Sequence, residues 1–158
     1  MLSELKAKGI KLAVVSNKPD RAVQKLSREY FGDRMDFAVG PSDGVRCKPY
    51  PDMAETALKA LGIAKKNAVF VGDSEVDVQT GLNAGLDVIA VSWGFRSREV
   101  VIEAGAKIPL RGERVVSLLA GERAKGAILS RERMAPFRSP KRTQGALPLD
   151  PAHWQLWA

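Results

Sequence analysis

Cysteine and histidine are nearly missing from this chain: 158 residues contain one of each, Cys47 and His153. A single cysteine excludes an intramolecular disulfide, and the pair is too small a set for a zinc site built from thiolates and imidazoles. Such usage fits a reducing, cytoplasmic setting. Long apolar runs are missing as well. None approaches the roughly 18 residues needed to span a bilayer, so no membrane partner is expected. The first residues, Met1-Leu2-Ser3-Glu4-Leu5-Lys6, read as an amphipathic helix rather than a leader. What remains is an ordinary globular composition, 45% apolar and 27% charged, in a chain long enough for one domain with a real core.

The net charge of +7 is spread unevenly. Residues 1–110 hold 16 basic and 14 acidic side chains, whereas residues 111–158 hold 9 and 4, so the basic excess belongs to the tail. There Arg131, Arg133, Arg138, Lys141 and Arg142 surround Phe137. Such a run attracts phosphate backbones in a salt-sensitive way. No binding fold surrounds it, so nucleic acid is not the expected partner.

Up to residue 109 the pattern is regular. Residues 2–9 read as a helix, Lys11 to Ser16 as a strand, Asp20 to Phe31 as a helix ended by Gly32, and Asp36 to Gly40 as a shorter strand. A polar loop from Pro41 to Pro51 leads to a helix from Asp52 to Leu61. Ala68 to Val71 is a third strand, Glu75 to Ala84 a helix, Asp87 to Val91 a fourth strand and Arg96 to Ala104 a last helix. The strands are continuous apolar runs, as buried parallel strands are. Strict alternation with short connections predicts an α/β fold: a Rossmann-like parallel sheet with helices on both faces. Beyond Pro109 come arginines, four prolines (Pro136, Pro140, Pro148 and Pro151) and no run that reads as a strand. Leu118, Leu119 and Ile128 are expected on a short helix or two, and disorder is expected after Arg131. Trp154 and Trp157 are unusual for a solvated tail.

Binding sites in such sheets lie beyond the carboxyl ends of the strands, and three stretches fall there. In Val71-Gly72-Asp73-Ser74-Glu75-Val76-Asp77, an apolar strand stops at a glycine and two carboxylates follow four residues apart. One reading is a site for a hard cation, which takes oxygen ligands from one or two carboxylates and from phosphate. The other is a helix start, since Asp and Ser cap helices and acids suit the N-terminal end. Ser16 and Asn17, after the first strand, have the hydroxyl and amide to hold a phosphate oxygen, or to make a turn. Lys48, in Cys47-Lys48-Pro49-Tyr50-Pro51-Asp52, offers a point charge to a phosphoryl group or to crowded carboxylates. Its flanking prolines stiffen the backbone that carries it. Cys47 reads as an incidental neighbour.

With Val14-Val15-Ser16-Asn17-Lys18, Gly44 to Asp52, Val71 to Asp77, Asn83-Ala84-Gly85 and Val91-Ser92-Trp93-Gly94-Phe95 in this order, the chain resembles the haloacid dehalogenase-like hydrolases, in particular the phosphoglycolate phosphatase-like group. The resemblance spans residues 1–109. It implies hydrolysis of small phosphate monoesters such as 2-phosphoglycolate through an aspartyl-phosphate, with Mg2+ as cofactor and a small phosphorylated metabolite as partner. It also implies roles. Ser16 and Lys48 would serve catalysis, Ser16, Asn17 and Lys48 would bind the phosphate, and Asp73 and Asp77 would hold the metal, Asp77 directly or through water. Ser74 is a lesser candidate for orienting the site.

Two departures matter. Members of this family begin with a strand bearing Asp-x-Asp-Gly-Thr, whose first aspartate is the nucleophile, and a helical cap domain follows. Neither is present; Asp36-Phe37 and Asp43-Gly44 lack the context. The expectation is therefore an incomplete core over residues 1–109, with a gap between the strand ending at Ser16 and the strand ending at Asp73. Met1 would then be a start inside a longer gene, and residues 110–158 a disordered or frameshifted tail. The isolated chain is expected to be inactive. The alternative is a non-catalytic module that binds phosphate or metal, or that associates with a partner or with itself through exposed strand edges.

Overall fold

The computed structural model describes residues 1–91, 94, 96–106, 115, 117–119 and 125–130. Five strands form one parallel sheet: β1 (Lys11–Val15), β2 (Phe37–Val39), β3 (Ala68–Gly72), β4 (Asp87–Ala90) and β5 (Gly126–Ser130). Among the described residues, the helices with stated bounds are α1 (Leu2–Ala7), α2 (Asp20–Phe31), α3 (Asp52–Leu61), α4 (Glu75–Asn83) and α5 (Arg98–Glu103). The spatial order is β2-β1-β5-β3-β4, and every pairing is parallel.

The α/β reading and its first four strands are borne out, with boundaries moved by a few residues. The region after Pro109 is not as expected. Residues 126–130 form a strand, and that strand is the central one. β5 fills the slot between β1 and β3 where a gap was expected, pairing Val15 with Ser130 on one side and Val71 with Leu129 on the other. Ile128, expected on a helix, is at its middle; Leu118 and Leu119 do lie in helical backbone. The expected disorder after Arg131, the basic run, Trp154, Trp157 and His153 all lie outside the described residues.

Burial explains the apolar centre of β5. Ala127 and Ile128 are fully buried, and Leu129 nearly so. Side chains alternate across a strand. Ile128 therefore joins Ala13, Val15 and Phe70 beneath α3 with Met53, Ala57 and Leu61. Ala127 and Leu129 join Leu12, Val69 and Val71 on the other face, against Leu5 of α1, Val115 and Leu119. On that second face α2 covers Val14 and Ala38 with Val23 and Phe31. At the strand entry, the Lys11 amide donates to Lys125 O, and the Lys125 amide to Asn67 O, extending the two ladders. The carboxyl ends of β1, β5 and β3 thus lie side by side, ending at Val15, Ser130 and Gly72.

Two glycines set distances that position this edge. A Cβ on Gly72 would stand 2.2 Å from Asp77 Cβ, so the missing side chain is what lets Asp77 fold back over the end of β3. A Cβ on Gly81 would stand 2.4 Å from Val88 Cγ2, so that glycine seats α4 directly on β3 and β4.

Candidate active site

Lys48, Asp77 and Ser130 meet at this edge. Lys48 Nζ lies 2.8 Å from Asp77 Oδ1 and 2.6 Å from Ser130 Oγ. Ser130 Oγ also donates to Asp77 Oδ1, closing a triangle of contacts. The Lys48 and Asp77 side chains are fully buried, and Ser130 keeps 7% of its surface. Charges taken this far from water need a partner in good geometry, and this pair has one. Burial pushes the Asp77 carboxyl up. The Lys48 charge and the hydrogen bonds from Lys48, Ser130 and Ser74 outweigh it and hold the group below the ordinary carboxylate range.

The other carboxylate oxygen of Asp77 has a different task. Asp77 Oδ2 accepts from the amides of Asp73 and Ser74, each at 3.1 Å, and from Ser74 Oγ at 2.8 Å. Ser74 Oγ in turn accepts from the Asp77 amide, which makes a reciprocal cap at the start of α4. The helix-start reading of the Gly-Asp-Ser-x-x-x-Asp stretch is therefore correct for Ser74 and Asp77. Five donors thus converge on the two oxygens of Asp77.

Asp73 is placed differently. It is half-buried at the end of β3, packed so closely against Gly94 that a Cβ there would stand 2.0 Å from Asp73 Cβ. Ser92, Trp93 and Phe95 of that stretch lie outside the described residues. Among the described residues, no three carboxylate, imidazole or thiol groups converge. A single hard carboxylate suits a cation that shares its coordination with phosphate oxygens better than one caged by protein alone.

Lys48 owes its position to a loop held from both sides. The Lys48 amide donates to Asn17 Oδ1 at 2.7 Å, and Asn17 Nδ2 donates to Lys48 O at 3.2 Å. Asn83, at the end of α4, donates to Pro49 O at 2.9 Å. The Lys48–Pro49 peptide is cis. Within the loop, Arg46 grips Asp52 through two guanidinium nitrogens at 2.8 and 2.9 Å and lies over the Tyr50 ring. The side-chain amide of Asn17 thus clamps the Lys48 backbone. Ser16 is fully buried at the end of β1, where its Oγ accepts from the Lys18 amide at 3.3 Å. The structure thus brings Ser16, Asn17, Lys48, Asp73 and Asp77 to one edge. It adds Ser130 and Asn83, to which no role had been given. Asn83 stands in a stretch that carries the resemblance; nothing in the sequence around Ser130 marks it.

Residues 1–85 match the family model of the haloacid dehalogenase-like hydrolases. The chain belongs to that family. It is 36% identical over 107 residues to the phosphoglycolate phosphatase of Rhodospirillum rubrum, an overlap of 67% of this chain and 44% of that protein. It is 36% identical over 102 residues to the pyrophosphatase PpaX of Bacillus cereus, covering 61% and 45%. A crystal structure from Lactobacillus delbrueckii subsp. bulgaricus, provisionally described as a phosphoglycolate phosphatase, superposes with a TM-score of 0.74 at 45% identity, covering 77% of this chain and 51% of that one. CbbY from Rhodobacter sphaeroides, in complex with xylulose-(1,5)bisphosphate, superposes at 0.58 with 32% identity, over 69% and 49%. This haloacid dehalogenase-like chain spans less than half the length of the curated relatives it matches, 44% and 45%.

Proposed function

We propose that this chain carries the phosphate-handling half of an Mg2+-dependent phosphatase for small phosphate monoesters, 2-phosphoglycolate among them, working in the cytoplasm. The observation behind this reading is the buried ammonium of Lys48, held by Asp77 at the same carboxyl edge of the sheet where β1 runs into Ser16 and β3 into Asp73. A phosphoryl group arriving at that edge would meet the Lys48 charge and the Ser16 hydroxyl. Asn17 acts on the phosphate indirectly, by fixing the Lys48 backbone. Asp73 is the direct ligand for Mg2+, and Asp77 serves it only by holding the Asp73 amide and Lys48 in place. Bound Mg2+ would neutralise phosphoryl oxygens and help hold the ester in line for attack.

In this reading the isolated chain does not turn over substrate. The central strand ends in Ser130, not in the aspartate that an aspartyl-phosphate route needs. A non-catalytic module that binds phosphate or metal is thus the second reading for the chain by itself. Association through a missing central strand loses its basis, because β5 occupies that place; among the described residues the sheet edges are β2 and β4.

The test is an NMR titration with Mg2+ and inorganic phosphate together. Amide signals of Ser16, Lys48 and Asp73 are expected to move, and Asp73→Asn is expected to abolish the Mg2+-dependent part. Signals that stay in place in the unaltered chain would contradict the reading. Mg2+- and Asp73-dependent hydrolysis of an aryl phosphate would contradict the predicted inactivity.

A further inference from the structure

Resting on that phosphate-handling reading, we propose that Ser130 is a phosphoryl-accepting nucleophile, which takes one phosphoryl group from a small phosphate donor onto its Oγ. A serine hydroxyl becomes nucleophilic when a base takes its proton and a cation stabilises the charge that develops on oxygen. Both are present. Ser130 Oγ donates to Asp77 Oδ1 and lies 2.6 Å from Lys48 Nζ. All three residues are buried, Asp77 at 0%, Lys48 at 3% and Ser130 at 7%, so Ser130 is the most exposed residue of the trio. Its backbone is rigid as well, being the last residue of a strand paired with β1. Ser130 also sits at the same edge as Ser16 and Asp73, so an incoming phosphoryl group would have the hydroxyl, a cation and a metal-binding carboxylate around it.

The step balances without any further reactant. The Oγ–P bond forms as the P–O bond of an acyl or aryl phosphate breaks, and the bonding pair leaves with the departing oxygen. The Ser130 proton passes along the existing hydrogen bond to Asp77 Oδ1 and from there to the leaving group or to water. The product is a serine phosphate, an ordinary phosphate ester rather than the reactive anhydride that an aspartate would form. The chain therefore loads once and does not turn over, which accords with an inactive but phosphorylatable site.

The experiment is incubation of the full chain with acetyl phosphate and Mg2+, followed by intact mass and peptide mapping. The expected result is one phosphoryl group per chain, located at Ser130, stable to hydroxylamine and falling to none in Ser130→Ala. Mapping the unaltered chain locates the group without relying on any variant to fold. Ser130→Asp places a carboxylate at the same station and should yield a hydroxylamine-labile phosphate. A labelled Ser130→Asp beside an unlabelled natural chain overturns the role of Ser130 alone. Absence of label in both overturns this inference together with the phosphate-handling reading. Label persisting in Ser130→Ala, or mapped to another residue, overturns the assignment.

Discussion

Asp77 divides its two oxygens between a helix cap and a buried ion pair, and that division governs what its replacement should do. Asp77→Asn keeps the size but leaves the Lys48 ammonium buried without a full counter-charge. Breaking a buried pair by removing one partner costs about 3–5 kcal/mol, and urea unfolding of the variant should show a loss of that order. A loss below 1 kcal/mol would place the pair in water. The pH dependence has a definite sign. The Asp77 carboxyl lies lower in the folded chain than in the unfolded one, where it titrates near 3.9. Its contribution is therefore complete above about pH 4 and is lost as pH falls through the lower folded value. The natural chain should lose stability below about pH 4 more steeply than Asp77→Asn does. At this scale the sequence was informative about single residues and silent about their partners. Lys48 and Asp77 each stood out from neighbouring prolines or a strand-glycine turn. Their contact joins residues 29 apart, and no local pattern encodes it. Asn17 could be read as a phosphate ligand because a side-chain amide suits phosphate and peptide equally well.

Among the elements, α4 depends on a close approach. Gly81 lets it rest on Phe70 and Val88, where an added Cβ would stand 3.0 Å from Phe70 Cβ and 2.4 Å from Val88 Cγ2. Alanine gains up to about 1 kcal/mol in helix propensity over glycine. Overpacking of a tight interface costs about 1–3 kcal/mol, and here the overlap falls on a stiff β-branched side chain. The packing effect wins, so Gly81→Ala should destabilise by about 1–2 kcal/mol in thermal or urea unfolding; a stabilised variant would show that α4 stands further from the sheet. The elements up to residue 106 were legible because each carries its own period and stop signals. β5 was not. Ala127-Ile128-Leu129 is a short apolar run between Glu122-Arg123-Ala124-Lys125 and Arg131-Glu132-Arg133, too brief to show any period. Its meaning comes from the slot it enters, whose walls, β1 and β3, lie more than 50 residues earlier in the chain.

At the scale of the whole sheet, the last strand in sequence among the described residues is the middle strand in space, so the two halves of the sheet are joined through β5. Ile128 is fully buried at its centre, in one cluster with Ala13, Phe70 and α3. Ile128→Ala should cost about 2–5 kcal/mol, as for other buried large-to-small changes, with both halves losing stability in one transition. Two separate transitions would mean that β5 does not join them. The family's order of strands was legible because the motifs at the ends of β1 and β3 fix that edge. The closure of the sheet was not, because it is a property of the assembled fold.

Amide hydrogen exchange at Ala127, Ile128 and Leu129 tests this account most directly. Central strands open only in global unfolding. The account predicts that these three amides exchange as slowly as those of Val14 and Phe70, and that denaturant speeds all five together. Exchange at the rate of an unstructured peptide, with Val14 and Phe70 still protected, would contradict it: the middle of the sheet would then lack β5, and Ser130 would not reach Lys48 and Asp77.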